Sequence, residues 1–194
     1  MKYWLLAIAV VCSSCAVSQE TVRIRQIESN DQVIIRYDTT SRYIGVSIPL
    51  EFKFNNRSSQ NLWIGGVDYY VPDEFGISGK YGLWSDALHK LKVNSQYTRC
   101  PYPEELNGGK YPNPGYYWVG YTHIITPGSD IQDSLRRYVE QIKLGSDFIS
   151  VGTLKEFKAI HPTLTERLLG RDSVSFRVFD NNKIIDIIRM PIKY

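Results

Sequence analysis

The chain has 194 residues, 43% of them hydrophobic and 13% aromatic, with 23 Lys and Arg against 20 Asp and Glu. That length buries one sizeable core and leaves two full domains cramped. The cations (Arg23, Arg25, Arg36, Arg42, Lys53) are interleaved with acids rather than clustered, which excludes the concentrated basic face that nucleic acid binding needs.

Residues 1–18 hold one early cation, Lys2, then the apolar run Trp4 to Cys12, then small residues, the three-part layout of a secretory signal peptide. The run is too short to span a bilayer. Two processing routes fit. Ala16-Val17-Ser18 puts small residues where a signal peptidase cuts before Gln19, whereas Ser13-Ser14-Cys15 resembles a bacterial lipobox ending on an acylated cysteine, which makes 1–14 the leader. The short n-region and Cys15 favour the lipobox; Cys12, where leucine is usual, opposes it, and both routes stay open. The expectation is an exported protein, periplasmic, anchored to the outer membrane or secreted, whose membrane contact is at most a lipid on Cys15. Cys100 is then the one cysteine of the folded domain, so an internal disulfide is excluded and stability rests on the apolar core.

Residues 21–27 and 32–37 read as short strands joined through Ser29-Asn30-Asp31, an opening hairpin. The clearest signal follows at 48–71. Leu50, Phe52 and Phe54 alternate with Glu51, Lys53 and Asn55, the period of a half-buried strand. Residues 55–61 form a polar turn, and 63–71 return as an aromatic and β-branched run in which Gly65 and Gly66 mark a bulge. Two antiparallel core strands joined as a hairpin are expected. Residues 72–114 are rich in proline, glycine and tyrosine, with at most a short helix over 85–91 and a strand near 95–100; an irregular insert of this size points to function.

Residues 115–125 read as a strand stopped by Thr126-Pro127-Gly128. Ser129 and Gln132 have capping-box spacing, and Ile131, Leu135, Tyr138, Val139 and Ile142 share one helical face before Gly145. Thr153 with Glu156 opens a second helix containing Leu154, Phe157 and Ile160; His161-Pro162 breaks it, and 162–169 form a third, closed by Gly170. Residues 173–179 and 184–192 make a hairpin around Asp180-Asn181-Asn182. The fold class is mainly β: one antiparallel sandwich over 19–194, with an irregular aromatic insert (about 72–114) and a small helical insertion (about 129–169).

With IPLEFKF, NNRSSQNLWI, HIITPGS and SVSFRVFDNNKIIDIIRM in view, the chain resembles exported bacterial immunoglobulin-like sandwich domains. The resemblance lies in strand and turn rhythm, lacks the Cys and Trp spacing of antibody domains, and implies no functional residues.

The aromatic insert supplies the candidate ligand-binding residues: Trp84 and Tyr111, beside Gly or Pro, with Tyr81 and Tyr117. Aromatic rings offer large area at low entropy cost and stack on sugar rings or partner side chains. The competing reading packs those rings onto the sheet. No metal or cofactor is expected: Asp86 and His89 would share a helical face, and two ligands are not a site. His89, His123 and His161 read as hydrogen-bonded structural histidines. Cys100 with His123 or His161 as base is conceivable, but the loop setting favours an inert thiol. The leading function is non-enzymatic binding of a protein or glycan. The alternatives are an envelope hydrolase using acids of the insert, such as Asp73, Glu74, Glu104 and Glu105, and an accessory subunit pairing through a free sheet edge, the first or last strand.

Overall fold

The alternation read at 48–54 belongs to a longer strand. In the computed structural model, which describes residues 21–71, 77–78, 89–91, 97–100, 103–109, 114–143 and 146–194, it spans Ile44–Asn56. Residues 1–20, with both candidate cleavage points, lie outside the described set. Ile44, Val46, Ile48, Leu50, Phe52 and Phe54 are all buried on one face of this strand, the stripe that a period of two places there.

Two strands precede it, β1 (Val22–Ile27) and β2 (Gln32–Tyr37), where the sequence places them. They do not form the expected hairpin. Both pair antiparallel with the same edge of β3, Ile44–Asn56: β1 over residues 51–56 and β2 over 44–47. They lie end to end along that side of β3, interrupted at 28–31.

The turn after β3 also departs from a hairpin. β4 (Leu62–Tyr70) joins a second sheet instead of pairing back. The physical reason is Asn56, buried at the end of β3. Its Nδ2 donates to the Gln60 carbonyl (2.9 Å) and to the Leu106 carbonyl (2.9 Å), while its Oδ1 accepts from the Ser58 amide. That side chain, carried by the large sheet, folds the 57–61 segment into an arch between sheets, because its amide satisfies backbone groups of the arch and of β8 in the small sheet.

Among the described residues the insert contributes four short strands: β5 (Ile77–Ser78), β6 (His89–Leu91), β7 (Tyr97–Arg99) and β8 (Glu104–Leu106). The strand near 95–100 is β7. The helix expected over 85–91 is corrected at residues 89–91, which pair as β6 with β7 and with the next long strand, β9 (Gly115–Ile125). β9 runs antiparallel to β3 along residues 44–54.

Helix α1 (Asp130–Lys143) buries Ile131, Leu135, Tyr138, Val139 and Ile142, the face read from the sequence. Strand β10 (Phe148–Thr153), which sequence reasoning left unassigned, then pairs with β2. Thr153 and Glu156 form the full capping box of α2 (Leu154–Ile160), and Pro162 opens α3 (Pro162–Leu169). Helices α1 and α2 pack against β2 and β10, and α3 packs against α2. The chain ends in the expected hairpin, β11 (Ser173–Asp180) and β12 (Lys183–Pro191), turned by Asn181 and Asn182 at φ 46° and 66°, the left-handed pair a tight hairpin requires.

Two antiparallel sheets result. The larger runs β10-β2-β3-β9-β6-β7, with β1 on β3 and β5 on β9; the smaller runs β12-β11-β4-β8. Their inner faces meet through Phe176 of β11, whose ring stands edge-on to Phe52 (5.2 Å) and Phe54 (5.0 Å) of β3.

The Gly65-Gly66 bulge is present: the β4 and β11 register slips between Phe176 and Arg177, and Gly66 sits at φ +59°. A side chain there would meet the Arg177 guanidinium, which is paired with Asp68. Gly66→Ala is expected to cost about 1–2 kcal/mol, read as a lower urea midpoint at unchanged m-value.

Candidate functional site

The centre of β3 has an unusual residue for its place, Pro49. Proline has no amide hydrogen and is rare inside sheets. Pro49 lies opposite Gly120 of β9, and on its other side no rung exists, since β1 pairs up to residue 51 and β2 begins at 47. The chain that should fill the gap turns out of line at 28–31, where Ser29 Oγ donates to Asp31 Oδ2 (3.1 Å) and accepts from the Asp31 amide (3.2 Å).

A cleft of about 340 Å³ opens beside this break, on the face of the large sheet turned away from the small one. Its lining includes Asp31, Gln32, Ser47, Trp118 and Ser150. Trp118 lies over Gly120, where an added Cβ would stand 2.5 Å from the indole. Only glycine at 120 lets the ring lie that close to the sheet. Ser47 hydrogen-bonds Thr122 across the strands at 2.7 Å and accepts from Arg36 at 3.3 Å. Two carboxylates approach this region. Asp31 is in the lining, and Glu51 lies opposite Trp118 in register; partial burial pushes the Glu51 carboxyl up, and the Asp31 charge adds to that.

A second polar cluster lies between the sheets. His123 and Asp172, both buried, meet at 2.7 Å through Nε2 and Oδ2. The Tyr69 hydroxyl donates to the same Oδ2 at 2.8 Å, and the Tyr69 ring stacks on Tyr121 with centroids 4.0 Å apart. A carboxylate only accepts, which assigns the proton of that pair to His123 Nε2. His123 Nδ1 has no hydrogen-bond partner among the described residues. The cluster ties β4 and β9 to the start of β11, and neither this cleft nor the second cavity described below includes it in its lining.

The sequence candidates fall as follows. Trp84, Tyr81 and Tyr111 lie outside the described residues, as do Asp86 and Cys15. Tyr117 is 2% exposed; its ring stands edge-on to Phe54 and its hydroxyl donates to Glu104. It packs in the core, and its neighbour Tyr116 carries the exposed ring. Cys100 is half-buried and packs against the apolar core. His161 meets Arg137 and Tyr138 at 2.9 Å each, and partial burial with the Arg137 charge pulls its pKa down. Trp118, Asp31 and Glu51 were missed; the signal that could have found them is a proline inside an alternating strand pattern.

No family model, no curated protein and no solved structure matches the chain.

Removing the Asp172 carboxylate strands two buried donors. Asp172→Ala is expected to lose about 3 kcal/mol or more, measured by urea denaturation. The interior also sets an alkaline limit. Burial, then the Asp172 charge and hydrogen bond, push the Tyr69 hydroxyl well up, and burial with Glu104 raises Tyr117. Unfolded tyrosine ionises near pH 10 while these two stay protonated in the fold. Stability is therefore whole below that pH and falls above it, by at most about 1.4 kcal/mol per pH unit for each tyrosine. Denaturation followed from about pH 9 to about pH 11 should show this slope, reduced in Tyr117→Phe.

Proposed function

We propose that the chain is an exported, non-enzymatic domain of immunoglobulin-like sandwich type that binds a glycan in the cleft beside Pro49, with the 72–114 insert completing the binding surface. The observation that carries this reading is the cleft itself, where the largely buried indole of Trp118 lies over Gly120 and the lining also includes half-buried Asp31 and exposed Gln32 and Ser150. An aromatic face with hydroxyl, amide and carboxylate groups around it suits a sugar ring, whose apolar face stacks while its hydroxyls hydrogen-bond. Support for a part played by the insert comes from β6, which pairs with β9 at the rung of Trp118.

A hydrolase reading draws on one further observation, the approach of Asp31 and Glu51 with the Glu51 carboxyl pushed up. A pair of carboxylates beside one bound sugar is what acid–base cleavage of a glycosidic bond uses.

A glycan array followed by calorimetry on the hit tests both. Ser150→Trp, at an exposed position, fills the cleft without touching the core; it is expected to weaken binding roughly tenfold or more with the thermal midpoint unchanged. Binding that is equal in wild type and Ser150→Trp defeats the assignment of the cleft. Mass spectrometry of the bound glycan should find it intact; shortened products that disappear in Glu51→Gln would replace the binding reading with the hydrolase.

A further inference from the structure

The break at Pro49 borders a second cavity, on the β1 side, of about 360 Å³. Its walls come from four places in the sequence: the end of β1 with Gln26 to Ser29, Pro49 and Leu50 of β3, the α2 helix, and the tail that follows β12. The tail is fixed there by one side chain. Gln26 Nε2 donates to the Lys193 carbonyl and Gln26 Oε1 accepts from the Lys193 amide, each at 2.7 Å. This two-way bond makes residues 193–194 a wall.

The lining is divided in its chemistry. Ile27, Pro49, Leu50 and Leu154 give an apolar interior, while the lining also includes three lysines, Lys155, Lys158 and Lys193, and one acidic side chain, Glu28. Lys155 and Glu28 meet at 3.4 Å with both side chains largely in solvent, a pair worth little and easily exchanged. Lys158 is oriented: its Nζ donates to the Tyr194 carbonyl at 2.7 Å and stands over the Tyr194 ring at 4.9 Å. Cations in excess over a greasy interior attract a ligand with one anionic end and one apolar body. The volume stands at the low end of small-molecule pockets, about 300–1,000 Å³, so the body is compact.

We infer that this cavity is a binding site for a small amphipathic carboxylate, an organic anion with a short aliphatic or single-ring body. The inference does not depend on the glycan reading of the neighbouring cleft.

Octanoate is the probe, titrated calorimetrically into the full chain, with acetate as an anion without a body and octan-1-ol as a body without charge. Saturable octanoate binding with Kd below about 1 mM is expected, with both comparators weaker by roughly tenfold or more. The double variant Lys158→Gln, Lys193→Gln should lose at least about tenfold. Lys155→Gln, at a fully solvated side chain, should lose less and serves as the folded control, while Ser150→Trp should bind octanoate as wild type does. Absence of saturable octanoate binding, equal binding of octan-1-ol or acetate, or an unchanged Kd in the double variant overturns the site. Loss of octanoate binding in Ser150→Trp overturns it as well, because the ligand would then lie in the glycan cleft, whose own test is separate.

Discussion

Pro49 has no amide hydrogen to give to a neighbouring strand, and the organisation of the large sheet follows from that absence. A continuous edge strand along β3 would leave an unmatched carbonyl opposite the proline. The chain avoids this by splitting that strand into β1 and β2 and turning out between them, with Ser29 and Asp31 bonding to each other at the break. The same departure opens both cavities, since a sheet with a missing rung leaves room that residues from five strands, a helix and the tail then line. The proline in the middle of the sheet and the concave surface are one event.

Much of the backbone was legible in the sequence. The stripes on β3 and α1, the Thr153 to Glu156 box and the Asn181-Asn182 turn are local codes, each written within a few residues and each realised. Pairing was not legible. Residues 21–37 carry correct strand signals, yet Ser29-Asn30-Asp31 serves equally well as a hairpin turn or as a break in an edge, and only Pro49, a dozen or more residues on, decides between them. Asn56 is similar: a polar residue in a polar run gives no sign that its amide will reach Leu106. The site escaped for the same reason. Asp31 lies at the break before β2 while Ser47, Trp118 and Ser150 sit on three separate strands, and no spacing rule connects them.

The polar groups between the sheets set the register that the greasy core cannot. Phe52, Phe54 and Phe176 would tolerate small slides, because apolar contact is not directional. Asp172 tolerates none: it must meet His123 of β9 and Tyr69 of β4 together, and a displaced strand would strand buried donors. Edges are managed in a similar spirit. β12 is an outer strand with Ile184, Ile185 and Ile187 exposed, but its pairing with β11 is bulged and the Asp186 carboxylate takes the amide of Ile187, which blunts it as a template for further strands.

The small sheet has an order of assembly built into it. β4 ends at residue 70 and its principal partner, β11, begins at 173. Everything between, including the insert, β9 and all three helices, is synthesised first. Until the last part of the chain emerges, β4 has only the three-residue β8 beside it, and its apolar residues have no finished neighbour. Closing so long a loop is slow. The fold is thus one whose beginning waits for its end, and a ribosome-bound or truncated chain lacking β11 would expose Leu62, Ile64 and Val67 to whatever holdase or aggregate it met first.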